Sequence, residues 1–238
     1  MLPTFLINLD SSTARLKSSC DQLNSMGIEF ERLSAVNGKA LSEQELHTYY
    51  SADKNVKDYY KPLTRGEIGC YLSHRKAWQT IVDRNLPYAL ILEDDFILQT
   101  DLKLVTQFLD KQDTFDYIKL SNYQNRERKV KSVKSIAGGS VVTFSKIPAG
   151  TCAQIVSFEG AKKLLNSSNK FSRPVDVDLQ YWWERGIKVI GLLPFPFAPN
   201  PNVESDISQV QSRDKVEKRR IRRIFQQIAF KFKNHCYK

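Results

Sequence analysis

The chain has 238 residues, a net charge of +10 and 41% hydrophobic residues, which fits one α/β domain with insertions and a large core. The apolar run within the first twenty residues, Phe5–Ile7, is too short for a signal peptide or a membrane-spanning helix, so we expect a cytoplasmic protein. The cysteines have neither C-x-x-C spacing nor nearby histidines, which argues against a zinc site and predicts reduced thiols. They are Cys20, Cys70, Cys152 and Cys236.

The positive charge is concentrated at the carboxyl end. Residues 213–238 contain ten Lys or Arg and two acids, so they carry +8 of the net +10. RNA-binding modules usually combine basic residues with aromatic stacking platforms, and the near-neutral body shows no such pattern. We therefore expect no nucleic-acid partner, and we divide the chain into a catalytic domain, 1–212, and a basic tail, 213–238.

Strand and helix patterns alternate along the chain, which predicts an α/β fold with a mainly parallel sheet. Predicted strands cover residues 4–9, 28–33, 117–120, 151–158 and 188–193, with a hairpin over 129–136 and 140–147. Two capping boxes predict helix starts, at Ser42 with Glu45 and at Thr64 with Glu67. Another predicted helix ends at Gly27, and further helices are predicted over 101–111, 159–166 and 174–183. Repeated prolines predict a surface loop over 195–212.

The run Tyr88–Leu98 is an apolar segment interrupted by three acids, Glu93, Asp94 and Asp95. This pattern is typical of a strand buried on both faces that ends where open α/β sheets bind ligands. The three charges repel one another unless a divalent cation joins them. The alternative is a strand that ends in solvent, but Phe96–Leu98 returns the chain to the interior. We therefore predict a ligand and metal site at these acids.

Five segments, in this order, resemble glycosyltransferase family 25, whose bacterial members include lipooligosaccharide β-1,4-galactosyltransferases. They are Asn8-Leu-Asp10 with Arg15, Ser34-Ala-Val-Asn-Gly38, Leu63–His74, Ala89–Asp95 and Pro174-Val-Asp176. The resemblance covers about residues 4–210, and the block from Gly66 to His74 followed by the acidic strand is specific. It implies a GT-A fold, a UDP-sugar donor, Mn²⁺ or Mg²⁺ as cofactor, and inversion at the anomeric carbon.

The resemblance also implies roles for individual residues. Glu93-x-Asp95 resembles the D-x-D motif, which makes Asp95 the direct metal ligand and places Glu93 on the ribose or a metal-bound water. Apart from the resemblance, the acids of Glu204-Ser-Asp206, after the proline-rich loop, predict a segment that closes over the diphosphate or, through Asp206, completes the metal shell. The implied donor-binding residues are Asn8, Asp10, Arg15, Ala35, Asn37, His74, Glu93 and Asp94. Structural roles are the alternative for four of these: Asp10 as a helix cap, Arg15 as a solvated residue, His74 as a satisfied structural histidine and Asp94 as a residue that binds neighbouring backbone.

An inverting transfer also requires a base that accepts the proton of the acceptor hydroxyl. The family pattern favours Asp176 for this role, with Asp178 as the alternative. Asp176 is also well placed to cap the helix that follows it, in which case Asp178 would be the base.

The resemblance implies β-1,4 transfer of galactose from UDP-galactose to a terminal sugar of a lipooligosaccharide or lipopolysaccharide acceptor. A UDP-glucose-dependent glucosyltransferase is an alternative, because glucose and galactose differ in the orientation of one hydroxyl. From other classes, a nucleic-acid-binding protein would use the basic tail. A metal-free glycosidase would use two carboxylates roughly 5–10 Å apart and would be unaffected by EDTA.

The tail has an apolar stripe at helical spacing, flanked by basic residues. The stripe consists of Ile221, Ile224, Phe225, Ile228 and Phe232. Such a combination is typical of a helix that lies in the interface of an anionic bilayer. We therefore expect peripheral attachment to the inner face of the cytoplasmic membrane, where a lipid-linked oligosaccharide acceptor would be met. The alternatives are a stripe that packs against the body and a stripe that forms a homodimer.

Overall fold

The computed structural model describes residues 1–111, 114–123, 129–203 and 219–237. The strands in these ranges are β1 (Thr4–Asn8), β2 (Glu31–Ser34), β3 (Tyr88–Glu93), β4 (Phe96–Leu98), β5 (Tyr117–Lys119), β6 (Val130–Ile136), β7 (Gly139–Phe144), β8 (Ala153–Ser157), β9 (Val189–Leu193) and β10 (Phe197–Pro199). The helices are α1 (Thr13–Ser25), α2 (Glu43–Tyr49), α3 (Ala52–Asp58), α4 (Arg65–Asp83), α5 (Lys103–Asp110), α6 (Phe158–Ser167), α7 (Val175–Gln180), α8 (Trp182–Arg185) and α9 (Arg220–Cys236).

The main sheet has eight strands in the order β2-β1-β3-β8-β5-β9-β7-β6. In the described part of the chain, β7 and β8 run against the direction that the other strands of this sheet share, which confirms the predicted mainly parallel sheet. Strands β4 and β10 form a separate antiparallel pair. The carboxyl ends of β1, β2 and β3 therefore meet at one edge of the main sheet, where open α/β sheets bind ligands.

Strand β3 is buried on both faces, as its continuous apolar sequence predicts. Ala89 and Ile91 belong to the core that contains side chains of α4, α6 and α7. Leu90 and Leu92 belong to the opposite core, with side chains of α1 and α5. Burial of a leucine or isoleucine side chain contributes about 1.5–3 kcal/mol. The strand is thus held firmly from both sides, and the acids that follow it have a fixed position.

Both predicted capping boxes are present. The hydroxyls of Ser42 and Thr64 accept the N–H of the third helical residue, a glutamate, whose carboxylate accepts the N–H of the cap residue in return. In the second box, Glu67 is buried and also accepts a 3.1 Å hydrogen bond from the Lys61 ammonium. The box fixes the start of α4, the helix that carries His74.

The predicted loop over 195–212 is wrong in its first part, because Phe197–Pro199 forms β10 and pairs with β4. The Phe197 ring is fully buried and meets the Phe96 ring edge-on, at 5.5 Å between centroids. Burial of this aromatic pair outweighs the flanking prolines, and β10 ends at a proline, where a missing N–H is tolerated. The Asn200 N–H then donates to the Asp95 carbonyl oxygen at 2.7 Å, so the small sheet supports the acidic turn.

Two further differences concern short helices. The seven-residue helix α3 is not predicted by the periodicity of the sequence, because it is too short to show a clear stripe. The single helix predicted over 174–183 is divided into α7 and α8 at Tyr181, whose ring lies 3.7 Å from the Arg173 guanidinium carbon. Gly186 ends α8 in the left-handed conformation, as predicted, with φ of 62°.

Candidate active site

A pocket of about 660 Å³ opens at the carboxyl ends of β1 and β3. Strand β1 pairs in parallel with both β2 and β3, with Asn8 opposite Ser34 and Ile7 opposite Glu93. Most of the predicted donor and metal residues line this pocket: Asn8, Arg15, Ala35, Asn37, His74, Glu93, Asp94 and Asp95. The pocket is therefore the candidate active site.

The segment 34–38 lies directly against α4 and forms one wall of the pocket. A Cβ atom at Gly69 would lie 2.6 Å from the Val36 carbonyl oxygen, which is closer than side chains tolerate. The Val36 N–H donates to the Ser73 hydroxyl at 2.8 Å. The glycine thus allows a close approach, which places Ala35 and Asn37 in the pocket wall.

Asp94 joins β1 and α1 in the wall of the pocket. Its buried carboxylate accepts hydrogen bonds from the Asn8 amide, at 2.5 Å, and from the Arg15 guanidinium. The Asn8 amide also donates to the Ser12 carbonyl oxygen at 3.1 Å, and its own oxygen accepts from Arg32 at 3.0 Å. Asn8 and Arg15, predicted to contact the donor, are therefore held by protein groups, and their contacts fix the position of the pocket wall.

The sequence predicts that Asp10 contacts the donor, but Asp10 is absent from the lining of this pocket. Its side chain is 74% exposed and pairs with Arg32, while the Ser34 hydroxyl donates to the same carboxylate at 2.9 Å. The N-cap of α1 is Ser12, so Asp10 is not the helix cap either. Its contacts instead join the end of β1 to β2.

Glu93 is oriented by a chain of hydrogen bonds. His74 Nε2 lies 2.8 Å from Glu93 Oε1, and the Thr151 hydroxyl donates to the same oxygen at 2.5 Å. Behind the imidazole, the Gln154 amide lies 3.2 Å from His74 Nδ1, while Gln154 Oε1 accepts the Tyr117 hydroxyl. Gln154 thus donates to Nδ1, so that Nε2 carries the proton and donates to Glu93. Burial opposes ionisation of Glu93, but the hydrogen bonds from His74 and Thr151 lower its pKa below the usual range.

Asp95 has an unsatisfied oxygen beside two other acids. Its Oδ1 is buried and, among the residues that the structure describes, has no hydrogen-bond partner. Burial and the charges of Glu93 and Asp94 raise the pKa of Asp95 to about 7. A buried carboxylate oxygen without a donor is costly unless a proton or a cation satisfies it. The carboxylates of Glu93 and Asp95 therefore fit a hard divalent cation such as Mg²⁺ or Mn²⁺.

Asp176 is half-buried in the first turn of α7. The N-cap of this helix is Pro174, so the capping role considered for Asp176 is wrong. Its Oδ2 accepts the Gly150 N–H at 3.1 Å, and its Oδ1 accepts the Val177 N–H at 2.8 Å. These two bonds orient the carboxylate, and each oxygen keeps a second lone pair for another donor.

Lys119 interacts electrostatically with both Asp176 and Glu93. Burial lowers the pKa of the Lys119 ammonium to about 8, although the charges of Asp176 and Glu93 act in the opposite direction. The ammonium donates to the Gly150 carbonyl oxygen, and the N–H of the same glycine donates to Asp176. Asp176 and Glu93 therefore both lie within electrostatic range of one buried lysine.

The sequence matches the model of glycosyltransferase family 25, described as an LPS biosynthesis protein, over residues 1–179. The matched region covers three quarters of the chain and contains Glu93, Asp95 and Asp176. The chain belongs to glycosyltransferase family 25.

Curated relatives agree with this family. Procollagen galactosyltransferase 2 of Homo sapiens is 32% identical over 182 residues, which cover 73% of this chain and 29% of the relative. A glycosyltransferase 25 family member of Aedes aegypti is 28% identical over 221 residues, which cover 89% of this chain and 33% of the relative. The family 25 chain thus spans about a third of the length of these relatives.

A solved structure supports the fold of the family 25 chain. The crystal structure of a glycosyltransferase involved in the glycosylation of the major capsid of PBCV-1 matches with a TM-score of 0.50 and 11% identity. The match covers 88% of this chain and 97% of that structure. Together with the sheet topology, it confirms the predicted GT-A type of α/β fold, here followed by helix α9. None of the described helices is long and apolar enough to cross a membrane.

Asp178, the alternative base, is part of a buried ion cluster in the family 25 chain. Its carboxylate accepts hydrogen bonds from Tyr71 at 2.7 Å, Arg173 at 3.0 Å and Arg185 at 3.1 Å. These three donors engage both oxygens, and the side chain is only 2% exposed. An acceptor hydroxyl has no access to such a group, so the geometry favours Asp176 over Asp178 as the predicted base.

We expect Asp178→Asn to lower the free energy of unfolding by about 3 kcal/mol, because it removes the most buried counter-ion of Arg173 and Arg185, whose guanidinium groups are then left with Glu184. Urea unfolding followed by circular dichroism measures this change. Asp176→Asn is the matched control in the same helix, and we expect it to change stability by about 1 kcal/mol, since the amide oxygen still accepts one of the two backbone N–H groups. Equal losses in the two variants would contradict the structural role of Asp178.

Cys70 is a pocket residue that the sequence pattern did not indicate. Its sulfur, a His74 nitrogen and a Glu93 oxygen lie within 4.8 Å of one another. The expectation that no histidine lies near a cysteine is therefore wrong. The signal was the i, i+4 spacing of Cys70 and His74, which places both side chains on one face of α4.

Tyr123 is a second residue near the site that the sequence did not indicate. Partial burial and the negative charges of Glu93, Asp95 and Asp176 raise the pKa of its hydroxyl, although the residue is 41% exposed. The ring lies so close to Gly150 that a Cβ atom there would be 2.5 Å from Tyr123 Cε2. Tyr123 thus lies within electrostatic range of both the acids after β3 and the base candidate on α7, and its sequence signal is its place shortly after β5.

Asp206, the predicted third metal ligand, lies outside the described residues, as does the neighbouring Glu204. The tail residues 213–218 also lie outside them. The described candidates for metal ligation with oxygen are therefore Glu93 and Asp95, and the role of Asp206 stays a prediction.

Proposed function

We propose that this family 25 chain is an inverting, metal-dependent hexosyltransferase with a UDP-sugar donor. The observation that carries the proposal is the buried Asp95 Oδ1, which has no partner among the described residues and lies beside Glu93 in the pocket. A nucleotide diphosphate is itself negative, so a site lined by acids binds it only together with a cation.

Mn²⁺ or Mg²⁺ is the proposed cofactor, with Asp95 as the direct ligand. When bound, the cation supplies positive charge for the negative charge that develops on the leaving diphosphate. One oxygen of Glu93 is already held by His74 and Thr151, so the other oxygen is the one that faces the ribose or a metal-bound water. Asp206 is the proposed third ligand.

The donor contacts divide into two groups. Ala35 and Asn37 line the pocket on a loop that α4 supports, and we assign them to the nucleoside. Asn8, Arg15 and Asp94 hydrogen-bond to one another and act by fixing the wall on which the donor lies.

Galactose is the proposed sugar, because several curated relatives are named procollagen galactosyltransferases. UDP-glucose is the alternative donor. The family description as an LPS biosynthesis protein supports a terminal sugar of a lipid-linked lipooligosaccharide or lipopolysaccharide as the acceptor. The β-1,4 linkage follows the bacterial members that the sequence resembles.

Asp176 is the proposed base. It accepts the proton of the acceptor hydroxyl while that oxygen attacks the anomeric carbon, and the bond from this carbon to the β-phosphate oxygen breaks on the opposite face. UDP leaves, and the configuration inverts because attack and departure occur on opposite faces. General base catalysis of this kind contributes about 10²–10⁴-fold. Lys119 lies within electrostatic range of both Asp176 and Glu93, where its positive charge offsets the repulsion between the two carboxylates.

The proposal is tested by measuring UDP release from UDP-galactose, UDP-glucose and UDP-N-acetylglucosamine, each with Mn²⁺, Mg²⁺ or EDTA. We expect the highest turnover with UDP-galactose and Mn²⁺, and a loss of roughly 100-fold or more in EDTA, because a metal contributes several kcal/mol to such a transition state. A preference for UDP-glucose would change the sugar but keep the reaction. Hydrolysis of glycosides without nucleotide and without inhibition by EDTA would support the glycosidase class instead.

A further inference from the structure

Helix α9 exposes its apolar side chains. The five residues of the apolar stripe are between 59% and 73% exposed: Ile221, Ile224, Phe225, Ile228 and Phe232. A surface helix normally turns such a stripe toward the core. The alternative in which the stripe packs against the body is therefore wrong within the residues that the structure describes.

The opposite face of α9 contacts the body. The Phe230 ring is 7% exposed and lies 5.0 Å from the Tyr181 ring and 5.3 Å from the Trp183 ring. One turn later, the Asn234 amide donates to the Ser145 carbonyl oxygen at 2.7 Å. These contacts fix the rotation of α9 about its own axis, so the stripe faces away from the body.

The first turn of α9 is attached to the body as well. The Arg219 N–H donates to the Tyr60 carbonyl oxygen at 2.8 Å, and the Arg222 guanidinium donates to the Lys57 carbonyl oxygen at 2.6 Å. The Arg223 guanidinium carbon lies 5.3 Å from the centre of the Tyr60 ring. Both ends of the helix are thus anchored, and its orientation relative to the sheet is set by the fold.

The elements that α9 contacts neighbour, along the chain, those that hold the proposed base. The rings that contact Phe230 belong to Tyr181 and to α8, which directly follow the helix α7 that carries Asp176. Ser145 precedes by five residues Gly150, whose N–H binds Asp176. The contacts of α9 thus connect it to both segments that position Asp176, the start of α7 and the loop at Gly150.

The charge around the stripe indicates which surface this is. Residues 218–238 contain eight Lys or Arg and no acid. An anionic lipid bilayer offers both an apolar layer for the stripe and negative headgroups for these cations, and it requires no complementary shape. We propose that the apolar stripe of α9 inserts into the interface of an anionic bilayer and holds the Asp176 side of the body at the membrane surface.

The test is flotation of the full chain with phosphatidylcholine vesicles that contain or lack phosphatidylglycerol. We expect binding to the anionic vesicles that weakens as salt is added, because salt shortens the Debye length. Combined Ile224→Ser, Phe225→Ser and Ile228→Ser should reduce binding by roughly 100-fold. Combined Lys231→Gln and Lys233→Gln should reduce binding to anionic vesicles by about 25-fold, or about fivefold per charge, and should not affect binding to vesicles without phosphatidylglycerol. Val133→Ser on β6, where the side chain is 62% exposed, is the control and should bind as the unchanged chain does.

The outcomes distinguish a membrane from other binding partners of the apolar stripe. Undiminished vesicle binding by the serine variant would overturn the proposal. A lipid-free dimer that the serine substitutions convert to a monomer, as measured by light scattering, would also overturn it and assign the stripe to a second copy. Because the substituted side chains are mostly exposed, circular dichroism of the serine variant should show an unchanged fold. If the serine variant does not fold, the glutamine variant still tests the proposal. None of these measurements requires catalysis, so the proposed function is tested independently.

Discussion

Asp95→Asn is expected to lower metal-dependent UDP release by roughly 100- to 1,000-fold, which corresponds to about 3–4 kcal/mol of transition-state stabilisation. The physical reason is the loss of the charged oxygen that the described protein groups leave unsatisfied. Metal binding should fall in parallel, and the shift in melting temperature that Mn²⁺ causes measures it without any substrate. The metal-free variant should be at least as stable as the unchanged chain, because the substitution removes a charge next to Glu93 and Asp94.

The control for Asp95 removes one acid far from the pocket. Asp21→Asn affects a side chain that is 63% exposed and pairs with Lys17 on α1, and it should leave both UDP release and the Mn²⁺ shift unchanged. Transfer at nearly the original rate by Asp95→Asn, at saturating donor and metal, would show that this carboxylate is not a metal ligand.

Asp176→Asn is expected to reduce transfer to the acceptor by about 10²- to 10⁴-fold, since the amide cannot accept the hydroxyl proton. The amide oxygen can still accept the Gly150 N–H, so the loop and the helix should keep their positions. Binding of UDP with Mn²⁺ should stay within a few-fold of the unchanged chain, because Asp176 is absent from the lining of the donor pocket. Isothermal titration of UDP and a single-turnover assay with acceptor measure the two effects separately.

Two results would contradict the assignment of Asp176. Loss of UDP binding together with loss of transfer would indicate a structural role in the pocket. Full transfer by the variant would show that Asp176 is not the base. The Tyr123 hydroxyl is not a replacement, because the charges of Glu93, Asp95 and Asp176 raise its pKa and keep it protonated.

The features that could be predicted from the sequence depend on neighbours along the chain. The double-sided burial of β3 follows from its continuous apolar run, and each capping box joins two residues that are three positions apart. The acids that follow β3 could be identified for the same reason, since a strand and the turn after it are continuous in sequence. The order of the segments and the Gly66–His74 block were then enough to indicate the family.

The roles of the individual acids could not be predicted in this way. Asp94, Asp95, Asp176 and Asp178 are chemically identical, and what distinguishes them is which donors lie within about 3 Å. Those donors come from distant parts of the chain: Arg15 for Asp94, and Tyr71 and Arg185 for Asp178. Only the tertiary structure brings these groups together, so only it separates the buried ion cluster from the carboxylates that face a ligand.

The carboxyl-terminal helix shows the same division. The sequence by itself determined that α9 is amphipathic and basic, because helical periodicity and charge are properties of adjacent turns. It did not determine which face turns inward, since an apolar stripe is stabilised equally by a protein core, a second copy or a lipid surface. The tertiary structure decided this point, because the contacts of Phe230 and Asn234 with the body hold the stripe on the outside.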